Sequence, residues 1–176
     1  MSIKKLFDLS SRTALVTGGG QGIGKAIALA LAEYGADIII NYRSNSALAE
    51  DTARLVEGYG VRCWLWPLDL EEENITEKFN EFTAKHNCKV DILVANASVQ
   101  IRKSWDQVTS DELASQINVN LRSTLNLIQG VVPHMKEQQW GKILNIGSVQ
   151  QARPHKDMCI YAASKSGLVN LVRNLA

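Results

Sequence analysis

The chain has 176 residues, 45% of them hydrophobic, and a formal net charge of +1, which supports one domain with a sizeable core. The near-neutral balance carries no signal for nucleic acid or an anionic membrane surface, no apolar run approaches the ~20 residues that span a bilayer, and residues 1–8 lack the apolar centre of a secretory signal. Cys63, Cys88 and Cys159 are scattered without a Cys-x-x-Cys pair or a Cys/His cluster, and His86 and His134 are far apart, so no metal is assigned and a reducing cytoplasm is the expected setting.

The first apolar run, Thr13-Ala-Leu-Val16, is predicted to be a buried strand. It leads directly into TGGGQGIG at residues 17–24. A helix follows, with Ile23, Ala26, Ile27, Ala30, Leu31 and Tyr34 predicted as its apolar stripe. Gly35 stands where a C-terminal cap belongs. Residues 36–40 form a second strand that ends at Asn41-Tyr42-Arg43. Strand, glycine turn, helix and strand together make the context in which a glycine fingerprint binds a dinucleotide. Gly18 allows the sharp turn. Gly22 and Gly24 let the backbone approach a pyrophosphate and the adjoining strand, and the free N–H groups at the helix start favour the phosphates. An NAD site usually carries an acidic residue at the end of the second strand. Asn41 brings no carboxylate there, and Arg43 can pair with a 2′-phosphate, so NADP is expected over NAD.

The alternation continues. Residues 47–59 are predicted helical, with Leu48, Thr52, Leu55, Val56 and Tyr59 on one side. A third strand spans 61–66, with Trp64 and Trp66 as packing residues, and Asp69 follows its end. A helix over 71–86 is striped by Ile75, Phe79 and Phe82, and a fourth strand over 90–95 runs into Asn96-Ala97-Ser98. A long helix is expected within 111–139, with Ile117, Leu121, Leu125, Ile128 and Val132 on its main face and Val119, Leu127 and Val131 partly elsewhere. Pro133 should bend or shorten it. Apolar residues on more than one side suggest cover by a partner subunit. A fifth strand spans 142–147, and a final helix carries Tyr161, Lys165, Leu168, Leu171, Val172 and Leu175. The pattern implies a parallel sheet with helices on both faces.

Tyr161 and Lys165 stand at i and i+4, so a helix places them on one face, one turn apart. A free tyrosine titrates near pH ~10, too high for a base at neutral pH. A neighbouring ammonium favours the phenolate, which makes the pair a candidate general acid/base. Ser148, at the end of the fifth strand, can hydrogen-bond a substrate oxygen. His155, Arg102, Lys103 and Arg153 lie near the expected substrate mouth, where solvated surface charge is the plainer reading.

In this order, the motifs resemble those of the short-chain dehydrogenase/reductase family over almost the whole chain. TGGGQGIG matches the family's Thr-Gly-x-x-x-Gly-x-Gly, which brings Gly18, Gln21, Gly22, Ile23 and Gly24 to the cofactor. The resemblance implies that Asp69, with Leu70 beside it, contacts the adenine, and that Asn96-Ala97 is the centre of the Asn-Asn-Ala-Gly turn. It implies a catalytic tetrad of Asn120, Ser148, Tyr161 and Lys165. Tyr161 would exchange the proton and Lys165 would also bind the cofactor ribose. Ser148 would polarise the carbonyl, and Asn120 would hold a water linking Lys165 to solvent. Ala95, Ser98 and Gly147 depart from the family pattern. The expected fold is a Rossmann-type doubly wound α/β domain over residues 1–176, with sheet order 3-2-1-4-5. The chain stops inside the final helix, before the family's last strands, as a fragment or a shortened product. The expected function is NAD(P)-dependent interconversion of a ketone and a secondary alcohol, on a sugar, polyol or 3-oxoacyl substrate, in a homodimer or homotetramer. The alternative is a protein that binds cofactor without turnover.

Overall fold

Five apolar runs form strands because each is too short for a helix and is bounded by turn residues. They are β1 (Thr13–Val16), β2 (Asp37–Tyr42), β3 (Cys63–Pro67), β4 (Ile92–Ala95) and β5 (Lys142–Asn145). The computed structural model describes residues 6–175; the start of the N-terminal segment read for a secretory signal, and Ala176, lie outside the described residues. All neighbouring strands pair parallel in the order β3-β2-β1-β4-β5, with Ala14 opposite Ile38 on one side and Ile92 on the other. This is the expected order. β1 is buried along its whole length, as a central parallel strand covered on both faces must be.

Alternation along the strands divides the core in two. Ala14, Val16, Ile38 and Ile40 face the helices α1 (Gly22–Glu33) and α2 (Ser46–Glu57), while Leu15, Ile39 and Leu93 face the other layer. That layer holds α3 (Ile75–His86) and the long helical segment that follows β4. The final helix α6 (Cys159–Leu175) packs beside it through Leu171.

The helix faces differ from the expected stripes. In α1 the buried residues are Gly24, Ala28 and Ala32, whereas Ile23, Ala26 and Ala30 are exposed. Small side chains bring the helix axis close to the sheet, and Ile27 and Leu31 pack at the flanks. In α2 the buried set is Ala49, Thr52, Ala53 and Val56, and Leu48, Leu55 and Tyr59 are exposed. Helix α3 begins at Ile75 rather than residue 71, because Asn74 ahead of it takes a left-handed conformation with φ 59°.

The single long helix is in fact two helices joined by a π-helical turn. Helix α4 (Ser110–Ile117) opens with a capping box, Thr109 and Glu112 exchanging side-chain-to-backbone bonds. The π turn spans Asn118–Arg122, and α5 (Ser123–Glu137) runs through Pro133 without ending there. A π turn widens the ladder by one residue and rotates everything beyond it by about 100° relative to an unbroken helix. The core face is therefore Val119, Leu127, Ile128, Val131 and Met135, and Leu125 turns outward.

The lower end of the sheet is tied by Asp91, which is buried just before β4. Its carboxylate accepts from Thr13 N at 2.9 Å and Gln138 Nε2 at 2.5 Å, with His134 Nε2 at 3.3 Å and Arg12 Nη1 at 3.5 Å. It joins β1, β4 and the end of α5. Asp91→Ala leaves these donors without their acceptor and should lower stability by about 1–3 kcal/mol. A urea unfolding midpoint equal to that of the parent would contradict this.

Candidate active site

The strands β1, β2 and β4 all end at one side, and the loops leaving them enclose a cleft of about 510 Å³. Its floor is the glycine turn. Gln21, in an extended conformation, precedes α1 with no side-chain cap, and the first turn has no acidic residue. The leading N–H groups and the positive end of the helix dipole are thus open to an anion. Gly22 sits at φ +54°, a conformation that side chains rarely take. Gly24 is needed for packing: a Cβ there would lie 2.2 Å from Gly18 O and 2.7 Å from Asn96 Nδ2. Asn96 stitches the turn to β4, donating from Nδ2 to Thr17 O at 2.8 Å, while Thr17 Oγ1 accepts from Asn96 N and Ala97 N.

Gly18, Gln21, Gly22, Ile23, Gly24, Asn96 and Ala97 line this part of the cleft. Asn41, Arg43, Asp69 and Leu70 line its far end. Asn41 holds its wall by turning inward. It is 2% exposed, and its amide donates to Leu68 O at 3.0 Å and Trp66 O at 3.3 Å. It locks the ends of β2 and β3 and offers a ligand no free amide hydrogen. Arg43 is exposed and makes no ion pair to another described residue. Asp69 Oδ1 accepts from Glu71 N at 3.0 Å, and Arg122 Nη2 holds the same loop through Glu71 O at 2.7 Å and Glu72 O at 3.0 Å. Sequence reasoning missed this support, and also Ser44, Asn45 and Leu48, which complete the wall around Arg43. Their position directly after β2 was the available signal.

At the other end Tyr161 and Lys165 line the cleft from α6. Lys165 is 1% exposed, and its ammonium donates to Ile146 O at 2.9 Å and lies 5.9 Å from the centre of the Tyr161 ring. Burial lowers its pKa from the ordinary lysine value. The Tyr161 hydroxyl makes no hydrogen bond to another described residue. Ser148 caps the short 3-10 turn Val149–Gln151, its Oγ accepting from Gln150 N at 3.2 Å. That bond uses a lone pair and leaves the O–H free to donate. Ser148 and Asn120 flank the cleft without lining it.

Asn120, in the π turn, is 1% exposed. Its Nδ2 donates to Val99 O at 2.9 Å and Ser164 Oγ at 3.0 Å, and its Oδ1 accepts from Val99 N at 2.7 Å. Ser164 Oγ passes the link on to Tyr161 O at 2.8 Å. Both amide hydrogens of Asn120 thus hold protein groups, clamping the loop after β4 to the tyrosine helix. Gln151 is a second clamp that sequence reasoning missed. Its Nε2 donates to Lys165 O at 2.8 Å, and its amide lies 3.1 Å from where a Cβ on Gly147 would be. Glycine at position 147 makes room for it.

A parallel sheet in this order, a glycine turn feeding a helix start, and a buried tyrosine–lysine pair at the opposite end define a dinucleotide-binding α/β protein of the Rossmann type. The short chain dehydrogenase family matches residues 12–176, and the chain belongs to it. It is 32% identical over 174 residues to the uncharacterized oxidoreductase YhxC of Bacillus subtilis, covering 98% of this chain and 60% of that one, so it spans about three fifths of that relative. Among solved structures, a 3-oxoacyl (acyl-carrier-protein) reductase from Agrobacterium tumefaciens with NADP bound superposes with TM-score 0.92. The identity is 36%, over 100% of this chain and 67% of the other. A gluconate 5-dehydrogenase from Burkholderia cenocepacia, in complex with NADP and tartrate, gives 0.88 at 35% identity, over 99% and 68%. Among the described residues no helix is long and apolar enough to cross a membrane, and no group of three His, Cys, Asp or Glu is placed to hold a metal ion.

The buried ammonium works against folding. Since burial lowers the Lys165 pKa, the unfolded chain binds the proton more tightly. The resulting destabilisation is complete below the folded pKa and fades as pH rises toward the unfolded value. Lys165→Met keeps the length without the charge and should stabilise the protein by about 1–4 kcal/mol at neutral pH, as in other replacements of buried charge by apolar side chains. The gap to the parent should narrow in alkaline solution. A variant less stable than the parent at neutral pH would refute this.

Proposed function

We propose that this cleft binds NADP(H) and that its residues interconvert a ketone and a secondary alcohol. The carrying observation is the buried ammonium of Lys165 beside the Tyr161 ring, at the far end of a cleft that begins at an uncapped helix N-terminus. The residues present fit the cofactor. The open first turn of α1 suits a pyrophosphate, and Gly22 keeps its approach clear of side chains. Arg43, free of any carboxylate, suits a 2′-phosphate, and no acidic side chain stands at the end of β2 to bind a bare ribose. When bound, the nicotinamide supplies or accepts the hydride.

The chain's own residues handle the proton and the orientation. The Tyr161 hydroxyl holds the proton that passes to or from the substrate oxygen. The Lys165 ammonium, held by Ile146 O, favours negative charge on that phenolic oxygen, and its remaining N–H groups would be the donors for the cofactor ribose. Ser148 donates its free O–H to the same substrate oxygen, which steadies the charge that develops there. Asn120 and Gln151 keep α6 in register with the loops after β4 and β5. The two NADP-bound neighbours are, by their names, a 3-oxoacyl (acyl-carrier-protein) reductase and a gluconate 5-dehydrogenase, which supports a polar carbonyl substrate. Exposed Leu113 and Leu125 on α4 and α5 support association with a second copy. Free Cys63, Cys88 and Cys159 suit a reducing compartment; burial pushes the Cys63 thiol up to about 12, so it stays protonated.

Arg43→Ala should weaken NADPH by about tenfold and leave NADH nearly unchanged, because only NADPH carries the phosphate that the guanidinium pairs with. Fluorescence titration with both cofactors reads this, and equal weakening of the two would remove Arg43 from the recognition. Tyr161→Phe should lower kcat at least about 100-fold while NADPH affinity stays within about twofold, as expected for a group needed mainly in the transition state. The assay follows NADPH consumption against 3-oxoacyl and sugar-derived ketones. Turnover that survives the substitution would sink the acid/base assignment. Cofactor binding with no turnover by the parent chain would favour a binding role alone.

A further inference from the structure

We infer that Arg122, although it does not line the cleft, is the positioning residue for its adenine end: it holds the loop that carries Asp69 and Leu70, with Ser115 as a second tether. The inference rests on reading the cleft as an NADP(H) site with the adenine beside Asp69. Residues 68–74, between β3 and α3, form neither helix nor strand. Such a segment keeps its shape only through bonds to other elements. Its first residue is fixed to β2, where Asn41 Nδ2 donates to Leu68 O at 3.0 Å and Leu68 N donates to Tyr42 O at 3.0 Å. Its last residue, Asn74, leads into α3 from a left-handed conformation. Asp69 and Leu70 lie between these anchors, and both line the cleft.

Three bonds from α4 and the π turn fix the middle of the loop. Arg122 Nη2 donates to Glu71 O at 2.7 Å and to Glu72 O at 3.0 Å, and Ser115 Oγ donates to Glu71 Oε2 at 3.0 Å. The guanidinium makes no ion pair with a described residue, and its Nε is buried without an acceptor. All of its bonds to described residues thus go to the backbone of this one loop. Its part is to fix the path of a chain, not to neutralise a carboxylate; the Glu72 carboxylate is engaged by Lys78 instead. With both carbonyls held, Glu71 N stays 3.0 Å from Asp69 Oδ1 and Glu72 N stays 3.1 Å from Asp69 O. Asp69 Oδ2 accepts from no described residue, which leaves it for a donor in the cleft such as the exocyclic amine of adenine.

The π turn puts Arg122 in place. Asn120 and Arg122 stand two residues apart and leave the turn on different sides. Asn120 reaches Ser164 of α6, and Arg122 reaches the loop after β3. One widened turn braces both the tyrosine helix and the adenine wall. This support is blind to the 2′-phosphate, so Arg122 serves NADPH and NADH alike, in contrast to Arg43.

The test begins with amide hydrogen exchange in the cofactor-free 176-residue chain. Arg122→Met, which keeps the stem and removes the donors, should speed exchange at Glu71 and Glu72 by about tenfold or more and leave β1 and β4 unchanged. Arg122→Lys, which can still donate to both carbonyls, should restore most of the protection. Ser115→Ala should speed exchange at Glu71 by a smaller factor. If Arg122→Met does not fold, Ser115→Ala decides the question, and parent exchange rates in it overturn the inference. Fluorescence titration then reads the cleft. Arg122→Met should weaken NADPH and NADH by the same factor, about tenfold, and should change reduced nicotinamide mononucleotide, which lacks the adenine, by less than about twofold. Parent exchange rates at Glu71 and Glu72 in Arg122→Met, or equal losses for the mononucleotide and NADPH, overturn the inference. A parent chain that binds neither dinucleotide removes the cofactor reading and this inference with it. A parent that binds both, beside an Arg122→Met variant that binds them equally well, removes the inference alone.

Discussion

A buried ammonium sets the terms for this structure. Lys165 has an alkyl stem inside the protein and a charge at the wall of the cleft, where the Ile146 carbonyl accepts from its ammonium. An arrangement so unfavourable for folding persists only when the surroundings over-determine it. They do so here from three directions. Asn120 grips Ser164 one residue before it, Gln151 grips its own carbonyl, and the end of β5 supplies the acceptor. The tyrosine one turn earlier is fixed by the same contacts. Stability is given up at one side chain whose ammonium stands beside a phenol.

The opposite end of the cleft follows a different logic, that of absence. Its donors are backbone N–H groups left without partners at the start of α1, and its shape comes from positions where no side chain fits. Gly24 lets the helix sit against the Gly18 carbonyl, and Thr17 and Asn96 tie that contact to β4. Little can relax in such a bracket, so the glycine end is rigid in itself. The multiply clamped end at Tyr161 and Lys165 and the rigid glycine end share one wall, because both are built on strands that finish at the same edge of one sheet.

Much of this was legible in the sequence. Apolar runs of strand length alternating with amphipathic helices implied the parallel sheet, the family resemblance supplied its order, and the glycine turn and the Tyr161–Lys165 spacing located the two ends of the cleft. What was not legible has physical causes. The π turn at Asn118–Arg122 leaves apolar residues at helical spacing on both sides, so a count across it looks continuous while the face rotates. The buried stripe of α1 is made of glycine and alanine, which hydropathy weighs less than the exposed Ile23. Asn41 stands at the expected position, but the inward turn of its amide depends on the Trp66 and Leu68 carbonyls of another strand. Gln151 reads as an ordinary loop residue until Gly147 is seen beneath it.

The position of β1 at the centre of the sheet also bears on how the protein is made. Its first neighbour, β2, follows closely in the chain, but its second neighbour is β4, and Thr13 must meet Asp91 across 78 residues. On a ribosome adding about 5–20 residues each second, one edge of this fully buried strand waits several seconds or more for its partner. Until then Ala14, Leu15 and Val16 present open backbone groups and uncovered side chains, the surface on which nascent chains associate wrongly. The arrangement that gathers every functional loop at one edge therefore leaves the half-made chain dependent on speed, dilution or a chaperone.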